Sequence, residues 1–272
     1  MKHRSFLSLI IFVVTAIAAQ SNAVAGPLEE FEAAYERMDY ASALRVVEPL
    51  AANGDAFMQD MLASMYQGGK GIPRDTSQAV KWYRLAAGQG RVSAQWSLGY
   101  IFENGEGIQQ DYREAFKWYR LAAEQGNSLS QYRVGRMFER GEGVPADDRE
   151  AEKWYRLAAA AGNSDGQRRL GFLFESGRAV GLDYKEAVKW YRLSAKQGDP
   201  DGQSFLGYMY EQGKGVPQDY VKAHMWYNLL ASSRPNSSMS RDEVAKKMTP
   251  TQIAEAQAMA TKCQESKFQN CD

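Results

Sequence analysis

The chain has very little cysteine and very little histidine, two of each in 272 residues. Cys263 and Cys271 both stand in the last ten positions, and His3 lies in the N-terminal stretch, so His224 is the one imidazole of the body. Two thiolates with no histidine beside them do not make a zinc site. A Ser-His-Asp triad would have to be built on His224, and no Gly-x-Ser-x-Gly turn exists to carry its nucleophile. An excess of one charge is missing too. With 33 basic and 33 acidic residues, nothing suggests a polyanion partner such as nucleic acid. Outside the N-terminus no stretch approaches 18 apolar residues, so no membrane span is expected in the mature chain. What is present is 44% hydrophobic residues and six Trp, enough for a core.

The N-terminus reads as a targeting segment. Lys2, His3 and Arg4 are a basic start, residues 6–19 are apolar, and Ala23-Val24-Ala25 offers small residues where a signal peptidase cuts. Residues 1–25 are therefore expected to be a secretory signal peptide cleaved after Ala25, the alternative being an uncleaved anchor. A periplasmic or secreted location follows. In such an oxidising compartment Cys263 and Cys271 could pair and close a short terminal loop, or remain two thiols on a frayed end.

The body is organised by a repeat. Trp82, Trp118, Trp154, Trp190 and Trp226 are 36 residues apart, each followed by Tyr and, three positions on, by Leu. A fixed period of that size marks a solenoid of stacked supersecondary units. In four units a first helix, A, carries Leu98-Gly99, Val134-Gly135, Leu170-Gly171 or Leu206-Gly207, then an aromatic and Glu103, Glu139, Glu175 or Glu211. A Gly-x-Gly loop follows, as at Gly105-Glu106-Gly107, and an Asp (75, 111, 147, 183, 219) stands ready to cap the second helix, B. Helix B should bury Ala115, Trp118, Leu121 and Ala122 on one face. Gly inside helix A costs about 1 kcal/mol relative to Ala, so its recurrence argues for close approach to the Ala and Trp of helix B. The unit with Ala179 and Gly181 in place of the loop Gly and Pro is expected to have a distorted loop.

The ends differ. Residues 26–54 form a degenerate helix pair, with Val46 where later units have Trp, as suits an N-terminal cap. Residues 234–272 begin with a polar break and contain Thr249-Pro250-Thr251-Gln252, a capping box with Pro at the first helical position. Its helix should close the other end.

The elements L-G-x-x-F/Y-E, G-x-G-V/I, the pre-helix Asp, W-Y-x-L-A-A and the closing Gly together resemble the Sel1-like repeat, a relative of the tetratricopeptide family. The resemblance covers residues 55–233, five repeats. It implies an all-α fold, a right-handed α/α solenoid of stacked antiparallel helix pairs, and a protein-binding scaffold rather than an enzyme, with no cofactor. Exported relatives of this size resemble periplasmic regulators of signalling and exopolysaccharide production, or factors that engage a host protein. Cysteine-rich relatives assigned penicillin binding or β-lactamase activity carry a Cys pair in each repeat, which this chain lacks.

Residues common to all units should be consumed by stacking, which leaves variable outward positions for recognition. One row on the A helices reads Trp96, Tyr100, Glu103; Tyr132, Arg136, Glu139; Arg168, Phe172, Glu175; Ser204, Tyr208, Glu211. Aromatic and Arg side chains are the usual anchors of protein interfaces. Trp96, Tyr100, Tyr132, Arg136, Arg168, Phe172 and Tyr208 are therefore candidate partner-binding residues lining a concave groove of a monomer. The Glu row is expected to form structural ion pairs with Arg84, Arg120, Arg156 and Arg192, and His224 to be a half-buried spacer.

Overall fold

A computed structural model of the chain describes residues 26–268, 270 and 271, so the expected signal peptide, residues 1–25, lies outside the described residues. Two compact units divide the chain, one ending at Gln89 and the other running from Gly90 to Asp272. Among the described residues there are 14 α-helices and no strand. The fold is the all-α solenoid of consecutive antiparallel helix pairs.

The first unit holds α1 (Pro27–Glu36), α2 (Tyr40–Ala52), α3 (Ala56–Gly68) and α4 (Thr76–Gly88). Asp39, Asp55 and Asp75 start the last three by accepting backbone N–H bonds from Ser42, Met58 and Gln78. Each helix packs on the next, around Phe31, Ala34, Ala43, Val47, Ala51, Met58, Leu62 and Met65.

The second unit holds four A/B pairs and a closing segment. The A helices are α5 (Val92–Asn104), α7 (Ser128–Arg140), α9 (Ser164–Ser176) and α11 (Pro200–Gln212). Their B partners are α6 (Tyr112–Glu124), α8 (Asp148–Ala160), α10 (Tyr184–Ala195) and α12 (Tyr220–Ser233). Packing within the pairs is equally extensive in all of them, and each B helix also packs on the following A helix. Asp111, Asp147, Asp183 and Asp219 cap the B helices as expected; Asn127, Asn163 and Asp199 do the same for α7, α9 and α11.

The Gly of helix A is explained by Tyr, not by Trp. A Cβ on Gly99 would lie 2.5 Å from the ring of Tyr119, and Gly135, Gly171 and Gly207 face Tyr155, Tyr191 and Tyr227 in the same way. Tyr119, Tyr155 and Tyr191 are fully buried where Trp154 and Trp190 are only half-buried; in the last pair Trp226 and Tyr227 are both buried. Leu121 departs from expectation as well: it is 37% exposed, and Leu157 and Leu193 are more so. At 100° per residue the buried arc of α6 centres on Ala115, Tyr119 and Ala122; Trp118 stands at its edge and Leu121 beyond it.

The unusual loop loses a hydrogen bond. Gly105, Gly141 and Gly213 each end an A helix by donating N–H to the carbonyl four residues back, and Gly177 makes no such bond. Ala179 nevertheless keeps the left-handed conformation of the Gly it replaces, with φ +62°. The closing segment consists of α13 (Met239–Ala245) and α14 (Pro250–Glu265), both packed on α12. Thr249 and Gln252 form the expected reciprocal capping box. Cys263 and Cys271 are joined in a disulfide, buried in one cluster with Tyr227, Leu229, Val244 and Ala256.

Candidate functional site

The A-helix row lies within the second unit, and the structure sorts it into two kinds of residue. The aromatic members remain at the surface or half-buried. Trp96 and Tyr100, one turn apart on α5, stack with ring centroids 5.5 Å apart. Tyr132 on α7 leans on Tyr155 at 6.0 Å. Phe172 on α9 is half-buried, and Tyr208 on α11 is exposed, its hydroxyl accepting from Lys214 Nζ at 3.0 Å.

The charged members are engaged between repeats. Arg136 on α7 pairs with Glu103 on α5, and Arg133 donates through Nη1 to both oxygens of the same carboxylate at 3.1 and 3.3 Å. Arg168 on α9 bonds Asp165 at 2.6 Å and lies 3.3 Å from Asp199, at the start of α11. Burial of Arg136, with Arg140 nearby, lowers the affinity of its guanidinium for the proton.

The Glu row is not a surface row. Glu103 is 6% exposed and accepts from Tyr119 Oη at 2.7 Å. Glu139, Glu175 and Glu211 accept from Tyr155, Tyr191 and Tyr227 in turn. Burial pushes each of these phenols well above its ordinary range, so all remain hydrogen-bond donors at any physiological pH. The expected Arg partners act otherwise: Arg120 pairs with Glu124 and Arg156 with Glu152, inside their own helices. A carboxylate on helix A, four residues after the Gly, faces the Tyr of helix B sixteen positions on, out of reach of a residue that turns outward one position later.

A second ladder escaped the sequence reading. Gln125 Nε2 donates to Gln95 Oε1 and Gln197 Nε2 to Gln167 Oε1, each at 2.8 Å; the first unit repeats this with Gln89 and Gln59. The 36-residue spacing of these Gln was the signal available. Ala161 interrupts the series, and the buried Oε1 of Gln131 is left without a partner.

His224 is buried, more deeply than expected, and its proton affinity is lowered by burial and then by Arg241. A cavity of about 400 Å³ in the first unit is lined by residues including Glu30, Ser42, Arg45 and Pro49, and there Arg45 Nη2 donates to Ser42 Oγ at 2.7 Å. Among the described residues no cluster of three or more metal-ligating side chains occurs, and no helix is long and apolar enough to cross a membrane.

The repeat geometry agrees with a family model, described as the Sel1 repeat, that matches residues 56–90, 92–127, 128–163, 164–199 and 200–233. The chain belongs to the Sel1 repeat family. A crystal structure of a Sel1 repeat protein from Oxalobacter formigenes is similar at 28% identity and TM-score 0.75, over 87% of this chain and 97% of that one. A protective antigen of uropathogenic Escherichia coli, c5321, is similar at 27% identity and TM-score 0.56, over 89% of this chain and 62% of its own length. No curated protein matches the chain. Sel1 repeats generally act as protein-binding scaffolds, and the fold is typically a non-enzymatic one.

Proposed function

We propose that this Sel1 repeat protein is an exported, non-enzymatic scaffold that binds a segment of a partner protein along the A-helix face of its second unit. The observation that carries this is the contrast within each repeat. Gly, Tyr, Glu and the capping Asp recur because packing uses them, while the row of Trp96, Tyr100, Tyr132, Phe172 and Tyr208 varies and keeps part of its aromatic surface uncovered. Rigid aromatic side chains give contact area at low entropic cost. Export rests on the basic and apolar leader ending at Ala25, and a buried disulfide suits an oxidising compartment. Within the envelope, regulation of a signalling or exopolysaccharide system is the role this reading favours. The similarity to a protective antigen supports a second reading, a secreted factor that engages a host protein. A hydrolase is disfavoured by a histidine buried under a capping helix.

Affinity capture from periplasmic extract tests the reading. Wild-type protein should retain a partner that the Tyr100→Ala/Phe172→Ala/Tyr208→Ala variant loses, with unchanged circular dichroism. Equal capture by both proteins would end it.

A further inference from the structure

On the A-helix face two guanidinium groups share each of two carboxylates. Arg133 and Arg136 both converge on Glu103, whose side chain is 6% exposed and which also accepts from Tyr119. Arg133 uses Nη1 alone, which leaves its Nη2 and Nε without a protein acceptor, and Arg136 uses Nη2, its Nε being buried without a partner. One repeat on, Arg169 and Arg178 share Glu139, at 3.8 and 3.6 Å, and Arg178 is otherwise held by Asp148 on α8. Arg133 and Arg169 keep 28% and 26% of their side chains exposed. Nearby, Arg140 lies 3.5 Å from Glu142, whose Oε2 is buried without a partner, and Arg168 is taken by Asp165 and Asp199. The cluster is therefore four guanidiniums, of Arg133, Arg136, Arg169 and Arg178, on three carboxylates, those of Glu103, Glu139 and Asp148, in a chain whose formal net charge is zero. It is flanked by Tyr100 and Tyr132 on one side and Phe172 on the other, on the consecutive A helices α5, α7 and α9.

We propose that the segment bound on this face is acidic: a peptide whose Asp or Glu carboxylates complete the forks of Arg133, Arg136 and Arg169, with apolar or aromatic residues against Tyr100, Tyr132 and Phe172. The inference rests on the reading of the A-helix face given above and adds the chemistry of its ligand. Guanidinium recognises carboxylate through paired N–H donors, a geometry that no lysine reproduces. The unused donors of Arg133 sit on a side chain that is 28% exposed, whereas Arg136 is 17% exposed with its Nε buried.

The experiment uses the mature protein and two fluorescein-labelled nonapeptides, one alternating Glu with Leu and Tyr, the other identical with Lys for Glu. The acidic peptide should bind at least about tenfold more tightly at low salt, and its affinity should fall as salt rises. It should also shift the side-chain Nε–H resonances of Arg133, Arg136 and Arg169 in the wild-type protein, a readout that needs no variant to fold. Arg133→Gln and Arg169→Gln should each weaken binding about tenfold, while the charge-retaining Arg133→Lys recovers only part of the loss. Equal affinity for the two peptides, both mapping to α5, α7 and α9, would overturn the acidic specificity and leave the face as a binding surface. Acid-selective binding that shifts only the B helices would overturn both. Failure of the acidic peptide to bind at millimolar concentration would overturn the proposal.

Discussion

At the scale of single residues, each repeat is built on one steric fact and one electrostatic one. The Tyr of helix B lies flat against a bare Gly backbone, and its hydroxyl reaches the Glu four residues further along helix A. Gly99→Ala gains helix propensity worth about 1 kcal/mol, yet it drives a Cβ into a fully buried ring that hydrogen bonding holds in place. The expected net result is a loss of about 1–2 kcal/mol in urea unfolding; a neutral or stabilised variant would mean the ring can move aside. Ala179 is the reverse case. Left-handed backbone costs a Cβ residue about 1–2 kcal/mol, so Ala179→Gly should stabilise the protein by up to about 1 kcal/mol after its own chain-entropy cost. No gain in the denaturation midpoint would show that the Arg178–Asp148 ion pair already absorbs the strain.

At the scale of the element, helix pairs are tied by a polar bond that runs from the end of the B helix back to its own A helix. Ala161 ends α8 with φ −78° and ψ 7°, close to the −87° and 9° of Gln125 at the end of α6. Ala161→Gln should therefore reach the orphaned Oε1 of Gln131 and stabilise by about 1 kcal/mol, measured by thermal or chemical unfolding. On α12 the fifth-position slot that holds Phe116 in α6 holds His224, faced by Arg241 and Asp242 of α13. Its proton affinity is lowered in the fold, so the unfolded chain takes up the extra proton. Stability should then fall as pH drops below the ordinary histidine value of about 6.5, with a slope of at most about 1.4 kcal/mol per pH unit. His224→Phe should flatten that slope; an unchanged slope would assign it to other groups.

At the scale of the whole molecule, an array of like units must end, and each unit supplies its own terminus. In the first unit α1 and α2 close the stack around Phe31 and Val47, with no tryptophan where later repeats carry one. In the second, α13 and α14 bury Leu229 to 1% exposure, while its counterparts Leu121, Leu157 and Leu193 stay in solvent. The Cys263–Cys271 bond ties the last residues to that cap. Reduction should lower the stability of the second unit by about 2–3 kcal/mol, the value for a short closed loop. Amide exchange should accelerate in α14 and stay unchanged in α1 to α4. Uniform exchange across the chain, or none, would contradict a local cap.

Much of this was determined by the sequence alone. A 36-residue period, capping Asp before each B helix and Gly after it are local or periodic signals, and they set helix type, order and limits because helix ends obey short-range hydrogen-bond rules. The aromatic row on the A helices was legible for the same reason: residues four apart share a face. What only the tertiary structure decided was which member of each pattern is buried and what it meets. Tyr rather than Trp fills the Gly notch, Glu103 turns inward to a phenol, and Arg133 joins Arg136 on one carboxylate. Those contacts join residues 16 to 33 positions apart across two helices, and a period fixes the spacing of positions without fixing the angle at which one helix meets the next.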